Sequence, residues 1–484
     1  MSEKFSLGID LGTTSVKVLA LDSNGDVLAV ANSHHGLDDT AEGVQADPEV
    51  WWQSLLRALG DLDVDLADAE AVGFSGNMSS VVLVDETILP IAPALLLADI
   101  RGTQQLDALD PGLRDRVVHG SGNAPQIVFS LSSLLWWAAT DVNTLDRAAA
   151  WLSAKDFLRA RLTGVVATDP TDAYNSLLVR DGVWDDQLIG DLGLPVRLFP
   201  PLIGSGESAG SITPGASELT GLPAGIAVAT GSGDVAAALA GMGGLPTTSL
   251  AVSLGTSATL TAGLAPAGRR PEFAPDAGLT LHPAADGSWF ALGSLLTGGL
   301  ALNWLRTLAG TGPIAAVSAT PNVDDRLIFL PYLAGTGSPD FVGEATGTIL
   351  GITPSTTPEQ LVGALLEAIA FDIASLVDRL GNRYERIVIS GGGGRIAAWP
   401  VVFSNVLGLP VDVLDEPDLS AVGAAVLGWQ ASDAMVEPRA GRREVLPDPA
   451  TASAWSARRA TYERARRLVL ELTTTLTTEQ KAAQ

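Results

Sequence analysis

In Leu7-Gly8-Ile9-Asp10-Leu11-Gly12-Thr13-Thr14-Ser15-Val16-Lys17-Val18-Leu19-Ala20-Leu21 an apolar run reaches an acidic residue, breaks at a glycine and two hydroxyl residues, and resumes as a β-branched run before the Asn24-Gly25 turn. This pattern predicts a β-hairpin with a polar tip. Gly12 lets the backbone approach a bound group, Thr13 and Thr14 offer hydroxyl and amide donors, and Lys17 can reach an anion, so the tip suits phosphate. Asp10, at the end of the first strand, is placed to hold Mg²⁺ through water, because that ion takes few protein carboxylates and keeps much of its hydration. An ordinary tight turn in which Asp10 satisfies loop amides fits a single such hairpin equally well.

A second copy changes the balance. Leu250-Ala251-Val252-Ser253-Leu254-Gly255-Thr256-Ser257-Ala258-Thr259-Leu260-Thr261-Ala262 repeats the apolar strand, the Leu-Gly-Thr tip and the returning strand. Two phosphate-gripping hairpins imply two related domains facing one nucleotide, and here the chain resembles the superfamily of actin, Hsp70 and sugar kinases. The fold implied is α/β, with two ribonuclease-H-like domains of the actin-like ATPase kind and an interdomain cleft. The expected division is 1–243 and 244–484.

Composition narrows the classes. The 484 residues are 46% apolar and 17% charged, enough for two or three well-packed domains. A net charge of −26 disfavours nucleic acid and anionic membranes as partners. With no cysteine there are no disulfides and no thiolate chemistry, and His34, His35, His119 and His282 are too scattered for a zinc site. Catalysis is left to carboxylates, hydroxyls and backbone. Met1 runs almost directly into the first strand, and apolar stretches break well short of ~20 residues, so a cytoplasmic protein without a membrane span is expected.

Farther along, Asp47-Pro48 predicts a helix start, and Ala71 to Ser75 a buried strand ending in Gly76-Asn77-Met78-Ser79-Ser80. Asp99 and Arg101 fall at another strand end, where a surface ion pair is the commoner outcome. Leu131 to Ala139 and Trp151 to Leu162 are helical in period. Asp234 follows the glycine turn Gly231-Ser232-Gly233 and opens a helix, where a plain N-cap is the default role. A long amphipathic helix runs from Pro358 to about Leu380. The strand Arg386 to Ser390 then breaks into Gly391-Gly392-Gly393-Gly394, which allows close approach by a flat or phosphorylated ligand. The helix Ala421 to Val426 closes the second domain, and a tail helix from Ala454 frays.

In order, these elements resemble the FGGY carbohydrate kinases, and among them the xylulokinases. The resemblance rests on Asp10 to Lys17, Asp47-Pro48-Glu49 with Trp51-Trp52, Gly76 to Asp85, Asp99/Arg101, Gly233-Asp234, Gly255-Thr256-Ser257, Pro331-Tyr332-Leu333 and Ser390 to Gly394. It implies phosphoryl transfer from MgATP to a primary hydroxyl of a ketopentose, D-xylulose first, with ribulose, another ketose, gluconate, erythritol or glycerol as alternatives. Asp234 becomes the catalytic base, Asp10 the metal-side carboxylate, and Gly12, Thr13, Thr14, Lys17, Gly255 and Thr256 the phosphate grips. Adenine lies against Gly392 and Gly393, and Met78, Ser79, Asp99, Arg101 and Asp234 hold the sugar. A homodimer is a family-level expectation. The departures cluster on the sugar side. Asn77-Met78-Ser79-Ser80 replaces Gln-Met-His-Gly, Leu97-Ala98-Asp99-Ile100-Arg101 replaces Trp-Asn-Asp-Gly-Arg, and Thr336-Gly337 replaces Glu-Arg. An actin-like ATPase would need a peptide-binding domain after the second hairpin, and a kinase-derived regulator a helix-turn-helix extension.

Overall fold

The computed structural model describes residues 3–40, 43–274, 278–309, 326–381, 383–416 and 418–483. The first hairpin forms as expected, from β1 (Phe5–Leu11) and β2 (Ser15–Asp22), and continues into β3 (Val27–His34). Asp47 caps α1 (Pro48–Gly60), accepting from the Glu49 N–H, with Pro48 in the first turn where its missing donor costs nothing. After β4 (Ala69–Gly76), a helical insertion includes α2 (Ala154–Thr163) and α3 (Pro170–Tyr174). Trp151, expected in a helix, lies instead in a short strand, Ala150–Leu152; Ser153 caps α2 and so sets its start. The chain then returns through β5 (Ser208–Ser211), β6 (Ala227–Ala229) and β7 (Ser232–Gly233) to α4 (Asp234–Gly241).

The second half opens with the hairpin β8 (Ser249–Leu254) and β9 (Ala258–Ala265), then β10 (Thr280–Pro283) and β11 (Trp289–Leu295). It continues with α5 (Pro358–Leu380), β12 (Arg386–Ser390), α6 (Ala398–Leu407), β13 (Val411–Leu414), α7 (Leu419–Ala431), β14 (Arg442–Val445) and α8 (Ala452–Ala483). Strand order is β5-β6-β4-β1-β2-β3, with β7 beside β4, in one sheet and β10-β11-β9-β8-β12-β13-β14 in the other. In each, the hairpin strands pair antiparallel and the first of them pairs parallel with a later strand, β1 with β4 and β8 with β12. The two Leu-Gly-Thr tips are therefore equivalent positions in two copies of one sheet design.

Two further findings differ from the sequence reading. The helix expected to close the second domain, α7, lies on the first sheet. A β-carbon on Gly8 would stand 1.9 Å from the Ala421 carbonyl oxygen, and one on Gly73 1.8 Å from that of Ala424. The helix backbone thus rests directly on strand backbone, which only glycine permits. The tail helix is anchored rather than frayed along its first half. Trp455 and Tyr462 are buried against the second core, and the Arg458 guanidinium meets Glu367 of α5 at 2.8 Å. Among the described residues α5 is the one helix long and apolar enough to cross a membrane, and 78% of its apolar window is buried inside the molecule.

Candidate active site

Asp10, the last residue but one of β1, is in register with Lys17 on β2 and Ser75 on β4. Its carboxylate accepts from the Ser75 hydroxyl at 2.7 Å and, from the other half of the chain, from the Ser420 hydroxyl at 2.6 Å. Two hydroxyl donors orient both carboxylate oxygens while leaving further lone pairs free. Lys17, expected to grip phosphate, has a partner within the chain. Its ammonium is ion-paired with Asp418, the residue before α7, so the anion it reaches is supplied by the chain itself. Asp418 makes no side-chain cap on α7.

The two tips are built alike. The Gly12 N–H donates to the Ser15 carbonyl at 2.9 Å, and the Gly255 N–H to the Ser257 carbonyl at 3.0 Å. Thr13, Thr14, Gly255 and Thr256 are exposed at their ends. His35 braces the first tip, its ring nitrogen 3.2 Å from the Thr13 carbonyl, and the 298–300 backbone braces the second through the Gly255 and Thr256 carbonyls. A cavity of about 610 Å³ opens beside the second tip, lined by Gly255, Thr256, Asn303, Arg306, Gly392 and Arg395 among others. Of the two glycines expected under adenine, Gly392 has open space where a side chain would be. Gly393 is packed, since a β-carbon there would lie 2.7 Å from the Trp399 ring. If Thr256 grips a phosphate oxygen as the sequence leads one to expect, Thr256→Val keeps the tip's shape and removes one donor, and the KM for ATP should rise about tenfold with the acceptor KM unchanged. Initial-rate kinetics over both substrates check this.

Asp234 lines a second cavity of about 290 Å³, together with Ser253, Thr259, Thr261, Ser390, Gly391 and Ser420 from the other half of the chain. The N-cap role does not fall to it. Gly233 is the cap residue, and Asp234 is the first helical residue, its carboxylate accepting from the Val235 N–H at 2.8 Å. Burial pushes its pKa up to about 7, and the nearby charge of Asp10 pushes the same way. A carboxylate poised near neutrality suits general-base work.

On the sugar side the structure gathers some of the expected residues and disperses others. Met78 lies against Gly233, where a β-carbon would be 2.9 Å from its Cγ. Ser79 is buried with φ 63°, a conformation serine adopts rarely. Asn77 donates to the Leu11 carbonyl at 3.2 Å, and its own Oδ1 is buried with no partner. Asp99 and Arg101 form a tight pair, Nη2 to Oδ2 at 2.6 Å, in which Asp99 is 2% exposed and also accepts from the Val44 N–H. The Arg101 guanidinium sits 4.7 Å over the Trp136 ring. The pair is thus buried rather than superficial, and neither it nor Ser79 lines the cavity around Asp234. Sequence reasoning missed Ser75, Asp418 and Ser420. Ser75 stood in the predicted strand, but nothing local marked it or the other two as partners of Asp10 and Lys17.

The N-terminal domain of the FGGY family of carbohydrate kinases matches residues 5–241, and the C-terminal domain matches residues 250–432. The chain belongs to the FGGY family of carbohydrate kinases. As an FGGY kinase it is a phosphotransferase with an alcohol group as acceptor, with ATP and a small sugar as substrates. It is 29% identical to a xylulose kinase of Escherichia coli (strain K12) over 96% of this chain and 99% of that protein. The crystal structure of a xyloylose kinase from Brucella ovis superimposes with a TM-score of 0.87 at 26% identity, covering 96% of this chain and 99% of that one. A gluconate kinase from Lactobacillus acidophilus shares the fold at a TM-score of 0.85 and 20% identity, covering 97% and 98%.

Proposed function

We propose that this FGGY kinase transfers the γ-phosphoryl group of ATP to the primary hydroxyl of a ketopentose, D-xylulose foremost, giving D-xylulose 5-phosphate and ADP. The observation that carries the reading is Asp234 in the cavity at the start of α4, close enough to Asp10 for that charge to push its pKa up, with Ser420, which donates to Asp10, lining the same cavity. Asp234 accepts the hydroxyl proton as the acceptor oxygen attacks the γ-phosphorus, and the bond to the β-phosphate oxygen breaks in line with it. Such transfers need positioning and charge neutralisation more than covalent chemistry. Gly12, Thr13 and Thr14 hold phosphate oxygens from one domain, and Gly255 and Thr256 from the other.

The residues present fit Mg²⁺. Asp10 offers oxygen donors held in place by Ser75 and Ser420, and no group of three or more His, Cys, Asp or Glu side chains suited to a metal occurs among the described residues. That donor set suits an ion bound through one carboxylate, water and nucleotide phosphates. Asp10 would hold it, and its charge would offset that of the β- and γ-phosphate oxygens. Lys17 enters this scheme through Asp418, joining the first hairpin to α7.

A different acceptor is favoured by one specific feature. Ser79 is short and uncharged where xylulokinases carry histidine, and the Oδ1 of Asn77, two residues earlier, is buried without a donor. A ketose or polyol that supplies that donor, or fills the space, gains where D-xylulose loses about 1–3 kcal/mol of hydrogen bonding. Initial rates over pentuloses, hexuloses and polyols decide between the readings. A kcat/KM for D-xylulose of about 10⁴ M⁻¹s⁻¹ or more supports D-xylulose itself. A lower value, with a better acceptor in the panel and xylulose activity restored by Ser79→His, supports the alternative.

A further inference from the structure

Below the proposed base lies a fully buried cluster of charges that the reaction scheme does not use. The Lys155 ammonium is completely enclosed and meets three carboxylates, Asp156 at 2.8 Å, Asp169 at 3.0 Å and Asp172 at 3.1 Å. Arg159, also enclosed, meets Asp156 at 3.1 Å. Burial alone would push the Lys155 pKa down, but the three carboxylates outweigh it and hold the ammonium charged. Ion clusters this deep contribute little to stability compared with a well-packed apolar replacement, so their use calls for another account.

The geometry around the cluster supplies one. Gly76, the last residue of β4, packs on Lys155: a β-carbon there would stand 2.9 Å from the lysine Cβ. Gly76 is in register with Gly233 on β7, so the strand ends that lead into the Met78 loop and into Asp234 lie side by side over the lysine. From the other direction, Asp169 caps α3 through the Thr171 and Asp172 N–H groups while its carboxylate also binds Lys155. The Thr171 hydroxyl accepts from the Gly233 N–H at 2.8 Å, and Asp172 Oδ1 would lie 3.6 Å from a β-carbon on Gly233. Lys155 therefore holds α3, whose Thr171 binds the N–H of Gly233, the residue before Asp234.

We propose that Lys155, acting through Asp169, Thr171 and Asp172, is a positioning residue that fixes the Gly233–Asp234 turn against the Met78 loop, and so aims the Asp234 carboxylate at the acceptor hydroxyl. This rests on Asp234 being the base. A misplacement of about 1 Å in a catalytic group can cost on the order of 10²-fold in rate, so a rigid support is of value there.

Lys155→Met leaves three buried carboxylates poorly compensated and can fail to fold, so the test uses Asp172→Asn and Thr171→Val, both near-isosteric. Each is assayed well below its own melting temperature, alone and combined with Asp234→Asn. The expected result is a kcat lowered about 10- to 100-fold with the ATP KM within about twofold of the parent, and no further loss when the same change is added to Asp234→Asn. A kcat within about twofold of the parent for both variants overturns the proposal. So does an equal loss in the Asp234→Asn background, since the support would then act independently of the base. The base reading fails separately, if Asp234→Asn alone keeps parental turnover.

Discussion

Asp234→Asn should lower kcat by about 10² to 10⁴ while leaving the KM for ATP nearly unchanged, because general-base assistance is of that size and the proposed nucleotide contacts lie elsewhere. The same substitution should make the protein more stable above neutral pH. In the folded state Asp234 has its pKa pushed up to about 7, against an ordinary value of 3.8. A carboxyl with a raised folded pKa favours folding while protonated. That contribution is complete below about pH 4 and is lost as pH rises toward 7, because the folded protein must then carry a disfavoured charge. The shift from 3.8 to about 7 sets a ceiling on the order of 4 kcal/mol. The face that Asp234 keeps open to the cleft reduces it to about 1–3 kcal/mol. Asparagine carries no charge, so Asp234→Asn should melt above the parent at pH 8, and the gap should close toward pH 4. By the same sign, parental kcat/KM should fall as pH drops through the pKa of the base, and that limb should vanish in the variant. A variant that is both inactive and less stable at pH 8 would point to a structural role instead.

Gly423→Val should be the most damaging substitution outside the cleft. Helices α4 and α7 cross with their backbones in contact: a β-carbon on Gly423 would stand 1.7 Å from the Ala237 carbonyl oxygen, and one on Gly241 2.1 Å from that of Leu419. The far side of the obstruction is main chain in both cases, so relief requires the two helices to separate. Because α4 begins at Asp234 and α7 carries Ser420, separation also disturbs both walls of the site. The expected cost is about 3 kcal/mol or more, seen as a melting temperature lower by roughly 5 °C or more, or as loss of soluble protein. Gly190→Ala is the matched control. Gly190 lies in the helix Asp186–Asp191 with open space around a β-carbon, so that change should be neutral or slightly stabilising. Equal melting temperatures for Gly423→Val and the parent would contradict the packing.

What the sequence disclosed, and what it withheld, follows from the range of each interaction. Both hairpins are legible because their chemistry is local: strand, glycine, hydroxyls and strand lie within about fifteen consecutive residues. The start of α1 and the course of α5 are legible for the same reason, through Asp47-Pro48 and an uninterrupted helical period. The pairing of Asp10 with Ser420 joins residues 410 positions apart, and that of Lys17 with Asp418 joins residues 401 apart. No periodicity reports contacts of that kind. The docking of α7 on the first sheet was hidden likewise, because Gly8 and Gly73 read as ordinary small residues until the opposing backbone is known. Lys155 read as part of a helical segment, and its three carboxylates come from two turns that meet only in the fold.

The activity expected of the cleft is acceptor-dependent phosphoryl transfer. Release of ADP by the purified protein with MgATP, measured with and without a panel of ketoses and polyols, tests this most directly. The predicted result is ADP release that rises at least about 10²-fold on adding one acceptor, and is matched mole for mole by a phosphate ester on its primary hydroxyl. ADP release at the same rate with and without every acceptor, with no phosphorylated sugar formed, would contradict it.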